Sequence, residues 1–431
     1  MDEYVKTLSD ETRRRYRLYA YASTWFGCFS DVVMDSSAII ILYIAALGGG
    51  NGMVMFSTSL VGIMSMFFLI PTSRLVDKLG IKKVIGIACY IAFASYLTMA
   101  AGAFCGSWLG KYVAIFGCMC YCVSKPLWMG AWFPLLTNIL LPSERGDFLG
   151  FMRFSYNILT GTVLFAVGVA MGEKPPIWLL QAVIAITGML VLGRIFFIAK
   201  IKIPPHVPTK HNLRKAVSTA FKNSSMVGFC AYVCFLSVAF MPVIPLAFVY
   251  MKNGLDCGDN VVQIISSIGI GGQILSFLVY GRLVRRIGIR NMQLLVHGLF
   301  VAIPAALFFC GNSTPFLPEI TGFLLFSASF AYGCFYCSFS QETLALARPG
   351  NVAMATAVCQ TYQLAGTAIG RSATSFVLGY GILSAAWTVG GTAFNHFQTL
   401  FLICAAMSLL SAVLLVCIPS VMPENDNYYN P

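Results

Sequence analysis

The chain has 431 residues, of which 58% are hydrophobic and only 10% charged, against about 25% charged in a soluble domain. With a mean hydropathy of +0.79 and apolar runs of roughly 20 residues or more, the composition excludes a water-soluble globular protein and points to helices that cross a bilayer. The net charge of +12 would suit a nucleic-acid binder, but the basic residues lie in short links between apolar runs, so no nucleic acid is expected; a β-barrel, whose strands alternate polar and apolar residues, does not fit continuous runs.

The N-terminal residues 1–17 include "ETRRRYR" and have no short apolar core, so no cleavable leader is expected. Twelve spans follow, near 17–47, 52–71, 84–105, 111–140, 148–171, 176–199, 224–252, 260–281, 292–310, 317–341, 353–380 and 395–419. Links such as "GGGNG", "GEKPP", "GNSTP" and "ARPGN" carry the breakers Gly, Pro and Asn. The long interruption, 200–223, is basic and proline-bearing, and reads as a linker between residues 1–199 and 224–431, six helices each. Of the 28 Lys and Arg, 23 fall on one side if the N-terminus is cytoplasmic, with Arg194 and Lys200 among them. Lys111, Lys174 and Lys252 fall on the other, and Lys125 and Arg371 within the membrane. By the positive-inside rule both termini are cytoplasmic, in a multi-pass protein of the cytoplasmic membrane; the basic links also touch lipid headgroups.

The charged link "SRLVDKLGIKK" (73–83) returns as "GRLVRRIGIRN" (281–291). Arg74, Leu75, Val76, Gly80 and Ile81 recur as Arg282, Leu283, Val284, Gly288 and Ile289. "LPSERGDFLG" (141–150) and "RPGNVAMATA" (348–357) form a second pair, aligned on Pro142 and Pro349. The fold class is therefore all-α: a polytopic membrane protein with twelve transmembrane helices in two pseudo-symmetric six-helix bundles. Such parallel repeats place a solute site between halves that rock. Gly80 and Gly288 permit a tight turn, and Asp77 can accept charged hydrogen bonds.

These residues resemble the major facilitator superfamily of secondary transporters. Its signature between helices two and three matches Ser73 (usually Gly in the family), Asp77, Lys78, Gly80, Lys82 and Lys83. The second copy keeps Gly281, Arg286, Gly288 and Arg290 but has Arg285 in place of the acid. The resemblance implies a conformational latch at Asp77, Lys78, Gly80, Lys82, Arg286 and Gly288; a purely topological turn is the other reading. The antiporter branch usually carries Gly-Pro in helix five, and "NILTGTVLFAVGVAMG" has no Pro, which leans toward symport or facilitated transport.

Charges at membrane depth mark pathways or pairs. Asp31 and Asp35, in "FSDVVMDSSAI", share a helix face. Crowded carboxylates there are expected to hold a proton or, with their oxygen ligands, Na⁺, so they are the candidate coupling-ion residues. Span centres put Asp31 and Lys125 at one depth, which predicts an Asp31–Lys125 pair, either functional or purely structural; Arg371 is a weaker partner for Asp35. In "SKPLWMGAW", Pro126 frees a carbonyl, and Trp128 and Trp132 follow one turn apart. The candidate solute-binding set is Lys125, Trp128, Trp132, Asn157, Gln273, Gln360, Tyr362, Gln363 and Arg371. The polar members read equally as helix–helix hydrogen bonds, and Trp128 and Trp132 equally as lipid-facing or core. His297 and His396 have no obvious partner. The 15 cysteines, including Cys118, Cys120, Cys122, Cys334 and Cys337, read as apolar filler, so neither metal nor cofactor is expected.

The sequence thus predicts a secondary active transporter, not an enzyme. It moves a small polar organic solute, a sugar or sugar acid, by alternating access with H⁺ or Na⁺ symport, as a monomer in the lipid bilayer. An exporter of amphipathic compounds or lipids and a transporter-like receptor that does not transport are the alternatives; the short tail "PENDNYYNP" argues against the receptor.

Overall fold

A computed structural model describes residues 2–141, 144–204, 217–219, 221–347 and 352–417. Pro142, Pro349, most of the 200–223 linker and the C-terminal tail lie outside the described residues. In chain order the helices are α1 (Asp2–Thr7), α2 (Asp10–Asp35), α3 (Ile39–Ala46), α4 (Asn51–Leu79), α5 (Ile81–Ala101), α6 (Gly106–Thr137), α7 (Arg145–Met171) and α8 (Ile177–Ala199). They continue as α9 (Ser224–Phe240), α10 (Val243–Asn253), α11 (Asp259–Phe309), α12 (Leu317–Leu346), α13 (Val352–Tyr380) and α14 (His396–Cys417). An antiparallel hairpin, β1 (Ala386–Val389) with β2 (Thr392–Asn395), precedes α14.

Among the described residues nine helices are long and apolar enough to cross a membrane, and ten when the bent pair α2–α3 counts as one span. α11 runs for 51 residues but breaks at Gly288, giving two arms of crossing length. With those arms counted separately the described helices supply eleven such spans; α13, at 29 residues, has the length but not the apolar character of a twelfth. Phe67, Val169, Phe323, Ile369 and Phe376 lie on exposed surfaces, which suits contact with acyl chains.

The described chain packs as two units. One comprises 1–48, 64–163 and 176–213, the other 49–63, 164–175 and 214–431. In the first, α5 packs on α6 and α8, and α8 on α2. Small residues allow close approach: a side chain on Gly188 would meet Tyr96, and one on Gly117 would meet Met99. In the second, α11 packs on α12 and α14, and α9 on α13 and α14. Gly366 and Gly370, a G-x-x-x-G pair on α13, lie against the α9 backbone at Cys234 and Val238. The first turns of α4 belong to this unit because Gly62 packs on the backbone of Leu364 and Ala368, and Ser375 Oγ donates to the Gly52 carbonyl at 2.7 Å.

Two spans expected as single helices are broken. α2 stops at Asp35 and α3 leaves at 54°. The local cause is "DSS": the N–H groups of Ser36 and Ser37 both return to the Val32 carbonyl, while Ser37 Oγ accepts the Ile39 N–H at 3.1 Å. Such side chains compete with the helical ladder. The seventh span breaks between α9 and α10 at Met241–Pro242, where proline removes a donor. α6, by contrast, runs unbroken through Pro126 and Pro134.

Candidate functional site

The break after Asp35 leaves the C-terminal carbonyls of α2 beside a carboxylate, a place where helix dipole and side chain both favour a cation. Lys125 Nζ of α6 donates to Asp35 Oδ2 there. One turn back on α2, Asp31 is held by two donors. Arg194 Nη2 of α8 lies 3.1 Å from its Oδ2, and the Tyr121 hydroxyl of α6 lies 2.8 Å from its Oδ1. The expected Asp31–Lys125 pair is therefore corrected to Asp31–Arg194 and Asp35–Lys125. Nor does Arg194 sit in a cytoplasmic link: it is 4% exposed. A depth estimate resolves about one turn, 5.4 Å, and Asp31 and Asp35 are one turn apart. The flexible Lys stem therefore reaches the acid at the helix break, and the guanidinium takes the other.

Arg194 is framed on three sides. Its guanidinium lies 3.7 Å from the centre of the Trp128 ring, a cation–π contact. Trp132 stacks behind Trp128, ring centres 4.7 Å apart. Across from them is Gly27, where a side-chain carbon would collide with the guanidinium. Gly27 and Asp31 lie one turn apart on the same face of α2 and together form an arginine cradle that sequence reading missed; the small-x-x-x-acid spacing was its signal. Both tryptophans are buried rather than turned to lipid. The Tyr121 hydroxyl also reaches Ser30 Oγ at 3.2 Å, and the Tyr96 hydroxyl donates to the Ser30 carbonyl at 2.6 Å. Asp31 and Asp35 keep side-chain exposures of 21% and 29%, whereas Arg194 and Lys125 keep 4% and 16%. Each acid thus keeps more exposed surface than its cation, and Arg194 is the most enclosed of the four. Asp35 Oδ1 is buried and has no hydrogen-bond partner among the described residues, which leaves an acceptor for a proton or ion.

The other expected residues lie elsewhere. Asn157, buried on α7, donates to the Arg153 carbonyl at 2.9 Å. In the second unit, Gln273 lies on α11 near Gly333, Gln363 is buried on α13, and Gln360 is partly exposed on the same helix. Tyr362 faces Phe221, ring centres 6.3 Å apart. Arg371 donates from Nε to the Met241 carbonyl at 3.1 Å, at the α9–α10 break, and from Nη1 to the Thr58 carbonyl at 2.8 Å; Asp35 pairs with Lys125 instead. A partly buried basic residue, Lys125 or Arg371, thus stands at each broken span.

The repeated turns are alike in backbone. Gly80 has φ 86° and ψ 154°, and Gly288 has φ 78° and ψ 159°, a region nearly restricted to glycine. Lys82 Nζ donates to the Ala199 carbonyl at 3.2 Å. Asp77 is half-buried, and Lys78 and Arg286 are exposed. Near the same end of the first unit, Arg17 pairs with Glu144 at 2.9 Å.

Comparisons with known proteins agree with this architecture. The nucleoside transporter NupG superposes with a TM-score of 0.68 at 18% identity, covering 94% of this chain and 98% of that one. A D-xylose-proton symporter gives 0.72 at 13% identity, covering 93% and 97%. The xylose transporter XylE from E. coli, in a partially occluded inward-open conformation, gives 0.67 at 13%, covering 95% and 98%. At such identities the likeness is one of fold. No curated protein matches the sequence. The family model described as Major Facilitator Superfamily matches residues 24–371, most of the chain, and with the repeated glycine turns and the apolar helices it places this chain in that superfamily of multi-pass membrane transporters.

Proposed function

We propose that the chain is a secondary active transporter that carries a small polar organic solute with a sugar ring, a sugar or sugar acid, in symport with H⁺. The observation that carries the reading is the pair of partly exposed acids on α2, each matched to a more buried cation, at a broken helix. A proton arriving at Asp35 neutralises it and releases the Lys125 ammonium. The freed ammonium then offers a charged donor to a solute carboxylate or ring hydroxyl. Asp31 is held more firmly, by Arg194 and Tyr121, and orients the α2 face on which Asp35 sits. Trp128 acts through Arg194, whose guanidinium covers its ring. Fold neighbours that carry nucleosides and D-xylose support a sugar-bearing solute. Na⁺ in place of H⁺ is the second reading; the unpartnered Asp35 Oδ1 and the carbonyl end of α2 are oxygen ligands of the kind a hard cation takes.

The test is uptake into proteoliposomes under an imposed pH or Na⁺ gradient, over a panel of pentoses, hexoses, sugar acids and nucleosides. Accumulation is expected to follow the pH gradient for at least one sugar-bearing solute. Asp35→Asn is expected to abolish gradient-driven accumulation while leaving counterflow exchange. Full accumulation by Asp35→Asn would remove the coupling role, and accumulation that follows Na⁺ alone would replace the proton.

A further inference from the structure

The second unit holds a buried polar cluster that the α2 acids do not touch. His297 on the second arm of α11 and Glu342 on α12 are 3% and 4% exposed. Both lie in crossing-length helices, where an ionisable side chain is retained only for a reason. They line one cavity of about 10 Å³ with Tyr232, Gln293 and Ser338, room for a single water molecule.

The hydrogen bonds fix one proton of the imidazole. His297 Nδ1 lies 2.7 Å from the Gln293 carbonyl; a carbonyl only accepts, so Nδ1 carries the proton. The other ring nitrogen, Nε2, is hydrogen-bonded to the Tyr232 hydroxyl. In the neutral imidazole that hydroxyl donates to the Nε2 lone pair; in the imidazolium Nε2 donates to its oxygen, and the hydroxyl can turn to suit either form. The side-chain amide of Gln293 donates to Glu342 Oε1, so one residue bridges imidazole and carboxyl, by its backbone on one side and its side chain on the other. Among the described residues, Tyr280 of α11 and Cys334 and Cys337 of α12 also face the cluster. Tyr280 bonds Ser338 at 2.9 Å and Gln341 at 3.0 Å. The α9–α13 thiol pair Cys230–Cys359 packs by Thr343, next to Glu342, and α14 contributes the Ser411 hydroxyl beside Tyr232.

We infer that this cluster is a proton-binding site of the second unit, in which Glu342 and His297 share one exchangeable proton across the Gln293 bridge and the water-sized cavity. A proton taken up on His297 Nε2 makes that nitrogen a donor to the Tyr232 oxygen, and the Tyr232 hydroxyl proton turns toward Ser411. Transferred to Glu342, the same proton converts the carboxylate to a carboxylic acid that donates to Ser338 or the cavity water. No bond other than O–H and N–H forms or breaks. The site belongs to the second unit, whereas Asp31 and Asp35 belong to the first, and it does not depend on the transport reading.

The test uses purified full-length protein in nanodiscs. Infrared difference spectra over a pH titration, in H₂O and D₂O, are expected to show a carboxylic C=O band that disappears in Glu342→Gln and survives in Asp31→Asn and Asp35→Asn. In His297→Gln the midpoint of that band is expected to move by at least about one pH unit, ten-fold in proton affinity. Protein labelled with ¹⁵N-histidine provides a check that needs no variant at the cluster. Of the four histidines, replacing His206, His211 and His396 leaves one signal, expected as the Nδ1–H tautomer at high pH and as imidazolium at low pH. A carboxylic band that persists in Glu342→Gln, a midpoint unmoved in His297→Gln, or a His297 signal that never changes would each overturn the inference, as would a band moved by Na⁺ at fixed pH.

Discussion

Arg194 shows what a single misplaced charge means. Counted along the sequence, it stands six residues before Lys200 and reads as one more basic residue of a link. In the fold, it is enclosed by Asp31, Trp128 and Gly27. Removing the acid strands the guanidinium: Asp31→Asn is expected to destabilise the protein by about 3 kcal/mol, the lower end for breaking a buried pair because Asp31 is partly exposed. Arg194→Gln leaves Asp31 with the Tyr121 hydroxyl and some solvent, and is expected to be milder. The double variant is expected to recover more than half the loss of Asp31→Asn, which thermal unfolding in detergent would reveal; strictly additive losses would mean the two side chains do not interact. The two acids themselves were legible, since carboxylates in apolar runs have no ordinary explanation. Their partners were not, because pairing depends on helix rotation and side-chain reach, and neither is written in spacing.

The elements were read well where glycine dictates backbone geometry. The repeat at Gly80 and Gly288 was visible as five recurring residues, and the structure gives both glycines nearly the same positive φ and extended ψ. An alanine Cβ is disfavoured in that region by on the order of 1–3 kcal/mol. Gly80→Ala and Gly288→Ala are each expected to lower stability by that amount. Gly86→Ala, within α5 with open space around it, is expected to be neutral or to gain about 0.5 kcal/mol from reduced backbone freedom. Equal melting temperatures for all three would show that the turns relax. Helix breaks were harder to see. "MDSS" and "FMPV" interrupt runs that hydropathy treats as continuous, because a few hydroxyls or one proline barely lower the average over twenty residues. The break comes instead from hydrogen-bond competition, as in the two N–H groups shared by the Val32 carbonyl.

For the whole molecule, composition alone fixed the solvent, and the placement of basic residues predicts the orientation. The physical argument is the asymmetry of Lys and Arg between alternate links, and α5 offers a direct reading of it. The helix has 21 residues, about 30 Å at 1.5 Å per residue, so its two ends lie at opposite faces of the hydrocarbon layer. Lys83 is exposed near its start, in the basic link expected on the cytoplasmic side. Cys105 is exposed just beyond its end, and besides it only Cys417 is an exposed cysteine. In intact cells, a membrane-impermeant maleimide is expected to label Cys105, with labelling lost in Cys105→Ser. In that background, Lys83→Cys is expected to stay unlabelled until the membrane is permeabilised. The reverse pattern would place the N-terminus outside and turn the 22 basic residues that remain once Arg194 is set inside the fold toward the wrong face. That many unfavourable placements are more than an orientation signal can absorb, so that outcome would mean the helices do not alternate across the bilayer as their lengths imply.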